Sequence, residues 1–415
     1  MTDLSLRAMS GVGFFAMIAI AWCASTDRSK IPWRVIGWGV GLQFGLGLLL
    51  LKSPVSTAFV VAVNGIVNRL LAYAAAGAKF VFGSLVETGF SFALSVFPVI
   101  IFMGSLIAVL YHLGLAQRVV NSFAWMLSKT MRVSGAEALA AVANVFVGMV
   151  ESVLVIKPYL AKMTRSELFS LMTLGMATVS GSVLLTYVGF LGTQDAAGHL
   201  VIASLLSAPA GLLIAKVMLP EIGNPVTATG TGAAISIDET ETRASNVIDA
   251  AATGAINGLK LAAYIGALLI AFYALLEMAN GMLGYAGGFI GRPTLSFQDV
   301  LGVLMTPFAY LLGIPPQDVA QVGSLLGIKT VLNEFIAYQQ LGELVRAGSL
   351  QPRSVVIASY ALCGFANFGS LAILLGGIEG IAPDRRHEVA RLGMRSILSG
   401  TLATFMTACI VGMLL

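Results

Sequence analysis

Apolar runs of bilayer length alternate with short charged knots along this chain, and the pattern predicts an all-α polytopic membrane protein. Residues 33–51 and 90–113 have the length and composition of transmembrane helices. Residues 9–23 are short for a span. They also follow Arg7 as a signal peptide would, but no small-x-small cleavage pattern follows Ala24, so they read as a first span. Between 53 and 90, Lys52, Arg69, Lys79 and Glu87 interrupt the apolar turns, which suits a helix lying along the interface as a scaffold. Further spans are expected at 167–190, 200–219, 250–278, 295–313 and 354–375, with a glycine-rich turn at Gly287 and Gly288.

Two stretches break this rhythm in the same way. Between Arg132 and Lys162, two apolar pieces too short to cross meet at Gly148, with Lys129 and Arg165 adding bases at the ends. Two more meet near Asn333-Glu334-Phe335, between Pro315-Pro316 and Gly348. Each reads as a re-entrant hairpin, at about 132–162 and 316–347, because non-helical backbone survives at membrane depth only where protein or water covers it. Each is followed by a span with a weak middle: Ala177 to Ser182 in the first, Gly364 to Ser370 in the second. From Glu151 to Ser180 is 29 residues and from Glu334 to Asn367 is 33, so the two halves share an order and a spacing. That repeat divides the chain into N-terminal spans and a scaffold helix (1–90), a first transport repeat (91–219), a cytoplasmic linker (220–249) and a second repeat (250–415). Within the linker lie Gly223-Asn224-Pro225, a Thr/Gly/Ala run and the acids Asp238, Glu239 and Glu241.

Charge orients the arrangement. Asp27, Arg28, Lys30 and Arg34 put the first loop in the cytoplasm, and Arg385, Arg386, His387, Arg391 and Arg395 do the same for a late loop. The first hairpin is flanked by bases and the second has fewer, chiefly Lys329, Arg346 and Arg353, so the hairpins are expected to enter from opposite faces. With 57% hydrophobic and 11% charged residues among 415, and a mean hydropathy of +0.90, the chain is too apolar for one soluble core. A net charge of +4 without a basic aromatic stripe excludes a nucleic-acid partner and leaves lipid as the surroundings. Cys23, Cys363 and Cys409 lack the spacing for zinc or a disulfide framework. No catalytic constellation is visible: His112, His199 and His387 are far apart, and no phosphate loop is present.

An ionised residue at membrane depth is costly and by default functional, which singles out Glu151 and Glu334. Both carboxylates accept hydrogen bonds from a polar solute's hydroxyls, with Asn367 and Ser370 facing them from the second broken span. A purely structural alternative pairs each with Lys157 or Lys329. Asn144, Thr178 and the freed carbonyls of Val147 and Val179 form a set of hard neutral oxygens suited to an alkali cation, or equally a side-chain cap on a helix end. Phe365 is a core residue or a face for a planar ring. Glu277 and Lys260, inside a long span, read as structural residues near the membrane edge.

The hairpin from Gly148 to Tyr159 ending Ile-Lys-Pro-Tyr, the run from Asn246 through Gly254 and Gly258-Leu-Lys, the string Gly327-Ile-Lys-Thr-Val-Leu-Asn-Glu-Phe335 and Cys363-Gly-Phe-Ala-Asn367 resemble the concentrative nucleoside transporter family. The resemblance implies eight spans, two opposed hairpins, a homotrimer and ion-coupled nucleoside uptake across the cell inner membrane, with no cofactor beyond the coupling ion. It also implies that Glu334, Asn367 and Ser370 hold the ribose, that Phe365 and Val183 flank the base, and that Glu151 reaches the base directly or through water. Asn144, Val147, Thr178 and Val179 fall where the family's sodium ligands lie. At the hairpin tip, where the family carries an amide and a hydroxyl, this chain has Met149 and Val150, which implies altered base recognition. Proton coupling through Glu151 or Glu334, and a non-transporting nucleoside-binding or gating module, are the alternatives.

Overall fold

The structure, a computed structural model, describes residues 2–87, 91–228, 244–289 and 291–415, without the side chains of Glu87, Phe92, Val150 and Glu151. The expectations for Asp238, Glu239 and Glu241, and for the Val150 and Glu151 side chains, therefore lie outside the described residues. The described residues form helices and connecting loops, with no strand.

Helix α1 (Asp3–Cys23) starts earlier than its apolar run suggests. Thr2 caps it, and Asp3 and Arg7 pair at 2.9 Å, so two charged residues join the first turns and make a full-length span. Helix α2 (Trp33–Leu51) falls as expected. Helix α3 (Pro54–Phe82) runs 29 residues and buries only Val67, Ala74 and Ala78. Its length and composition would also let it cross a bilayer, so the charges at 53–90 do not by themselves select an interfacial course. After α4 (Phe92–Ser95) and α5 (Phe97–His112) comes α6 (Leu115–Met131), an amphipathic helix unread in the sequence. It buries Val120, Ala124, Leu127 and Met131, spaced three or four apart, and turns its polar residues outward.

The first paired half-helices are α7 (Gly135–Phe146) and α8 (Met149–Val155), the latter followed by α9 (Lys157–Leu160). Gly148 joins the pair at φ 120°, a value that L side chains rarely adopt, so the glycine is required for the reversal. Pro158 restarts the helix after Ile156. The next span is broken into α10 (Arg165–Ala177) and α11 (Gly181–Leu191), and α12 (Ala196–Met218) follows unbroken. Both α7 and α10 begin with a capping box, Ser134 with Glu137 and Thr164 with Glu167, so each half-helix has its own start signal.

Helix α13 (Val247–Gly288) corrects two expectations. It has 42 residues, about 63 Å at the helical rise, rather than a 29-residue span, and Gly287 and Gly288 lie in its last turn rather than in a separate glycine turn. The returning chain presses on Gly287, where a Cβ would lie 2.1 Å from the Arg292 carbonyl oxygen. Helix α14 (Phe297–Leu311) is another correction: at 15 residues, with Pro307 inside, it is too short to be the span expected at 295–313. The second paired half-helices are α15 (Val319–Val331) and α16 (Glu334–Arg346), the second broken span is α17 (Pro352–Leu362) with α18 (Phe368–Ile381), and α19 (Arg386–Leu414) ends the chain.

Eight segments among the described residues are long and apolar enough to cross a membrane. The number agrees with expectation but the membership differs: α3 and α19 are included, while α14 and the broken 352–381 segment are not. Helices α10, α11, α12 and α19 are almost wholly buried and form the core, whereas α13 is mostly exposed and leans on α5. That contact is backbone to backbone. A Cβ on Gly254 would lie 2.5 Å from the Gly104 carbonyl oxygen, and one on Gly258 would lie 2.8 Å from that of Ile100, so the four-residue glycine spacing sets how closely the helices pack.

Candidate transport site

Both broken helices unwind where expected. Thr178 (φ −123°, ψ 172°) and Ser180 (φ −72°, ψ 153°) are extended between α10 and α11, and residues 363–367 separate α17 from α18. The second break packs on the end of α10, since a Cβ on Gly364 would lie 2.9 Å from the Met176 carbonyl oxygen. Each break meets one pair of half-helices. At the first, Gly181 faces the carbonyl of Phe146 at the end of α7, which a Cβ would approach to 3.2 Å. At the second, Asn367 reaches Glu334 at the start of α16.

Glu334 is 2% exposed and opens α16, where Asn333 caps the helix by accepting from the Ile336 N–H at 3.0 Å. The helix N-terminus favours a negative charge there. Its two oxygens are held separately: Tyr187 Oη donates to Oε1 at 2.8 Å and Asn367 Nδ2 donates to Oε2 at 2.6 Å. Asn367 in turn caps α18, its Oδ1 accepting from the Ser370 N–H at 2.8 Å. Tyr187 is fixed by stacking on Tyr338, with centroids 4.2 Å apart and planes at 14°. Two donors on one carboxylate set its orientation and leave acceptor capacity for a ligand.

Glu334, Asn367 and Ser370 border a cavity also lined by Met149, Val183 and Phe365, so the described part of the expected substrate set converges. Two contributions were not foreseen. Tyr187 sits in a mostly apolar helix, where no spacing singles it out, and Leu261, Ile265 and Phe272 of α13 form an apolar wall. The Lys329 ammonium donates to the Ala361 carbonyl at 2.8 Å and to Thr404 Oγ1 at 2.9 Å, and makes no direct hydrogen bond to Glu334.

Of the expected cation ligands, Asn144 and Thr178 meet, apart from that cavity. Asn144 is 1% exposed, and its Nδ2 donates to the Leu174 carbonyl and to Thr178 Oγ1, both at 2.6 Å. Its Oδ1 is buried without a hydrogen-bond partner. Val179 follows Thr178 in the first break, and Val147 is the residue that caps the end of α7, three positions after Asn144. An orphaned amide oxygen beside a hydroxyl and a half-helix C-terminus is a donor set that fits a hard monovalent cation.

Two broken helices crossing beside two pairs of half-helices, with a buried carboxylate at the meeting point, define a membrane transporter of the broken-helix class. The chain belongs to the concentrative, Na+-dependent nucleoside transporter family. The family description Na+ dependent nucleoside transporter C-terminus matches residues 199–412, its N-terminus counterpart matches 12–85, and Nucleoside recognition (Gate) matches 93–194. The uncharacterized transporter YutK of Bacillus subtilis is 45% identical over 97% of this chain and 98% of its own length. Solute carrier family 28 member 3 of Rattus norvegicus is 40% identical over 97% of this chain, which spans 58% of that protein. Human sodium/nucleoside cotransporter 1 is 36% identical over 98% of this chain and 64% of its own length. Among solved structures, CNTnw in an inward-facing substrate-bound state matches with a TM-score of 0.91 at 39% identity, covering 98% of this chain and 97% of that one. A CNTnw variant in an outward-facing state matches with 0.93 at 38%, covering 99% of each.

Proposed function

We propose that this protein is a sodium-coupled symporter that imports nucleosides across the inner membrane by alternating access. The observation that carries the reading is the Glu334 carboxylate, held from both sides by Tyr187 and Asn367 in the lining of a cavity between the repeats. Its free lone pairs accept from ribose hydroxyls, with Asn367 and Ser370 beside it, and Phe365 and Val183 flank the base; the family resemblance adds Glu151 as a contact to the base, direct or through water. Met149 and Val150 replace hydrogen-bonding groups at that tip, so base selection rests on apolar contact with Met149 and the α13 wall rather than on an amide. Sodium binds among Asn144, Thr178 and the carbonyls of Val147 and Val179. It ties the end of α7 to the first break and so shapes the tip that meets the nucleoside. The four sequence segments 1–90, 91–219, 220–249 and 250–415 serve as scaffold, first repeat, linker and second repeat, and the exposed face of α13 suits a homotrimer.

The test is nucleoside uptake into proteoliposomes under an inward sodium gradient. Concentrative uptake that collapses when choline replaces sodium supports the reading, and uptake indifferent to sodium refutes it. Proton coupling is favoured by one observation, a buried Glu334 held by a hydroxyl and an amide rather than an ammonium. Uptake driven by a pH gradient without sodium would select that alternative.

A further inference from the structure

Arg132, which ends α6, is the one non-glycine residue with a positive φ among the described residues, at 54°. Glycine fits a left-handed position at a helix end without steric penalty, and arginine does not. The Arg132 side chain is exposed and makes no ion pair or hydrogen bond among the described residues, so no contact within them offsets the strain. It lines a cavity of about 460 Å³ together with Lys30, Glu137, Lys216 and Glu221. Both acids pair with Lys216, at 2.5 and 3.2 Å, and Lys30 makes only an exposed 3.7 Å pair with Asp27. The uncommitted charge in this cavity is therefore the Arg132 guanidinium, with the Lys30 ammonium loosely held beside it.

Lys30, Ile31 and Pro32 also line a second cavity, of about 350 Å³, so the two spaces adjoin along the first loop. The second space is apolar. Phe15, Ile18 and Trp22 of α1 line it with Trp33, Ile36 and Val40 of α2, each set spaced three or four residues apart and so on one helix face. From Phe15 to Trp22 is about 10 Å at the helical rise, room for the first part of an acyl chain. Both helices are long and apolar enough to cross a membrane, and the bases between them place their joining loop at the cytoplasmic face. Tryptophans at the boundary, a basic space beyond them and an apolar groove running inward follow the profile of a phospholipid.

We propose that the first loop and the joint between α6 and α7 form a binding site for one anionic glycerophospholipid, with its phosphate on Arg132 and Lys30 and an acyl chain between α1 and α2. The planar guanidinium matches phosphate geometry, which gives the strained residue a use. A small anion would leave the groove empty, and a neutral lipid would leave Arg132 unpaired. The bound lipid joins α1 and α2 to the start of α7 and the end of α12, beside two direct links: the Thr26 N–H to the Met218 carbonyl at 3.0 Å and Arg34 Nε to the Thr130 carbonyl at 3.3 Å. The site is separate from the cavity at Glu334, so it stands or falls independently of the nucleoside and sodium readings.

Thermal unfolding of the detergent-purified protein tests this, with phosphatidylglycerol or phosphatidylcholine of the same chains titrated in, and inorganic phosphate and glycerol 3-phosphate added separately. Phosphatidylglycerol should raise the unfolding temperature saturably, and the other three should leave it near its starting value. Arg132→Gly suits the backbone, so without lipid it should unfold at or above the wild-type temperature. It should nevertheless need at least about tenfold more phosphatidylglycerol for half-maximal protection, the loss of a charged hydrogen bond. Lys30→Gln, in an exposed loop, should weaken protection by a smaller factor and decides the matter if Arg132→Gly does not fold. Equal protection by the two lipids would reduce the site to unspecific lipid contact and overturn the proposal. Protection by phosphate or glycerol 3-phosphate alone would make it a small-anion site and overturn the lipid assignment. An undiminished phosphatidylglycerol dependence in Arg132→Gly, or in Lys30→Gln where the first fails to fold, would overturn it as well.

Discussion

Lys216 and Lys329 are both sealed inside the protein, at 4% and 0% exposure, yet they are satisfied in opposite ways. Lys216, near the end of α12, meets Glu137 at 2.5 Å and Glu221 at 3.2 Å, and donates to Ser166 Oγ at 2.9 Å. Its partners belong to the start of α7, the start of α10 and the linker, so one ammonium fastens the base of the first repeat. Lys329 has a carbonyl and a hydroxyl instead, beside the transport site. A charge neutralised by carboxylates is a fastener; one left facing helix dipoles sets the local field. The first lysine ties helix starts and the linker together, and the second joins the end of α17 to α19 beside the candidate site.

Four measurements break or sharpen that distinction, in descending order of effect. Lys216→Met strands Glu137, and breaking one side of a buried pair should cost about 3–5 kcal/mol. Thermal unfolding in detergent checks this, and the double variant with Glu137→Leu should recover most of the loss while the sodium dependence stays unchanged. Glu334→Gln removes a charge-assisted acceptor without changing shape; at about 1.5–3 kcal/mol per charged hydrogen bond, nucleoside affinity should fall about 10- to 100-fold with little change in unfolding temperature. Gly254→Ala drives a methyl into the Gly104 backbone and should cost about 1–3 kcal/mol of scaffold stability, again read by unfolding. The smallest effect concerns pH. Burial alone would raise the Glu221 carboxyl, but the Lys216 ammonium, the Gly223 N–H and the Thr164 hydroxyl outweigh it and hold the group below its usual 4.5. Its stabilisation is therefore complete above that value and fades as pH falls through the lowered one. Glu221 is the partly exposed member of the pair, and solvent screening holds its share to about 1 kcal/mol, so stability curves of wild type and Glu221→Gln should converge in acid and differ slightly at neutral pH.

What could be read in the chain and what could not divide along physical lines. The half-helix joints and breaks were legible because glycine, serine and asparagine weaken helices locally, and Gly148, Thr178 to Gly181 and Gly364 to Asn367 stand where the structure unwinds. Glu334 was legible because a carboxylate in an apolar stretch is conspicuous. Tyr187 was not, since an aromatic in α11 looks like any core residue until a carboxylate 147 positions later meets it. The partners of Lys329 were hidden for the same reason: Ala361 contributes a backbone atom, and Thr404 sits 75 residues away. Length misled twice. Helix α13 continues through glycines that would end an isolated helix, and α14 stops after 15 residues despite a longer apolar run, because packing rather than propensity decides both ends.

The central claim is that ion and nucleoside share one folded unit, with Asn144 holding the ion and Glu334 the sugar. Nucleoside binding to purified protein, titrated with and without sodium, tests it directly in wild type and Asn144→Ala. Sodium should tighten binding in wild type and leave the variant unmoved, while the variant without sodium should match wild type without sodium. Equal tightening by sodium in both proteins would contradict the account.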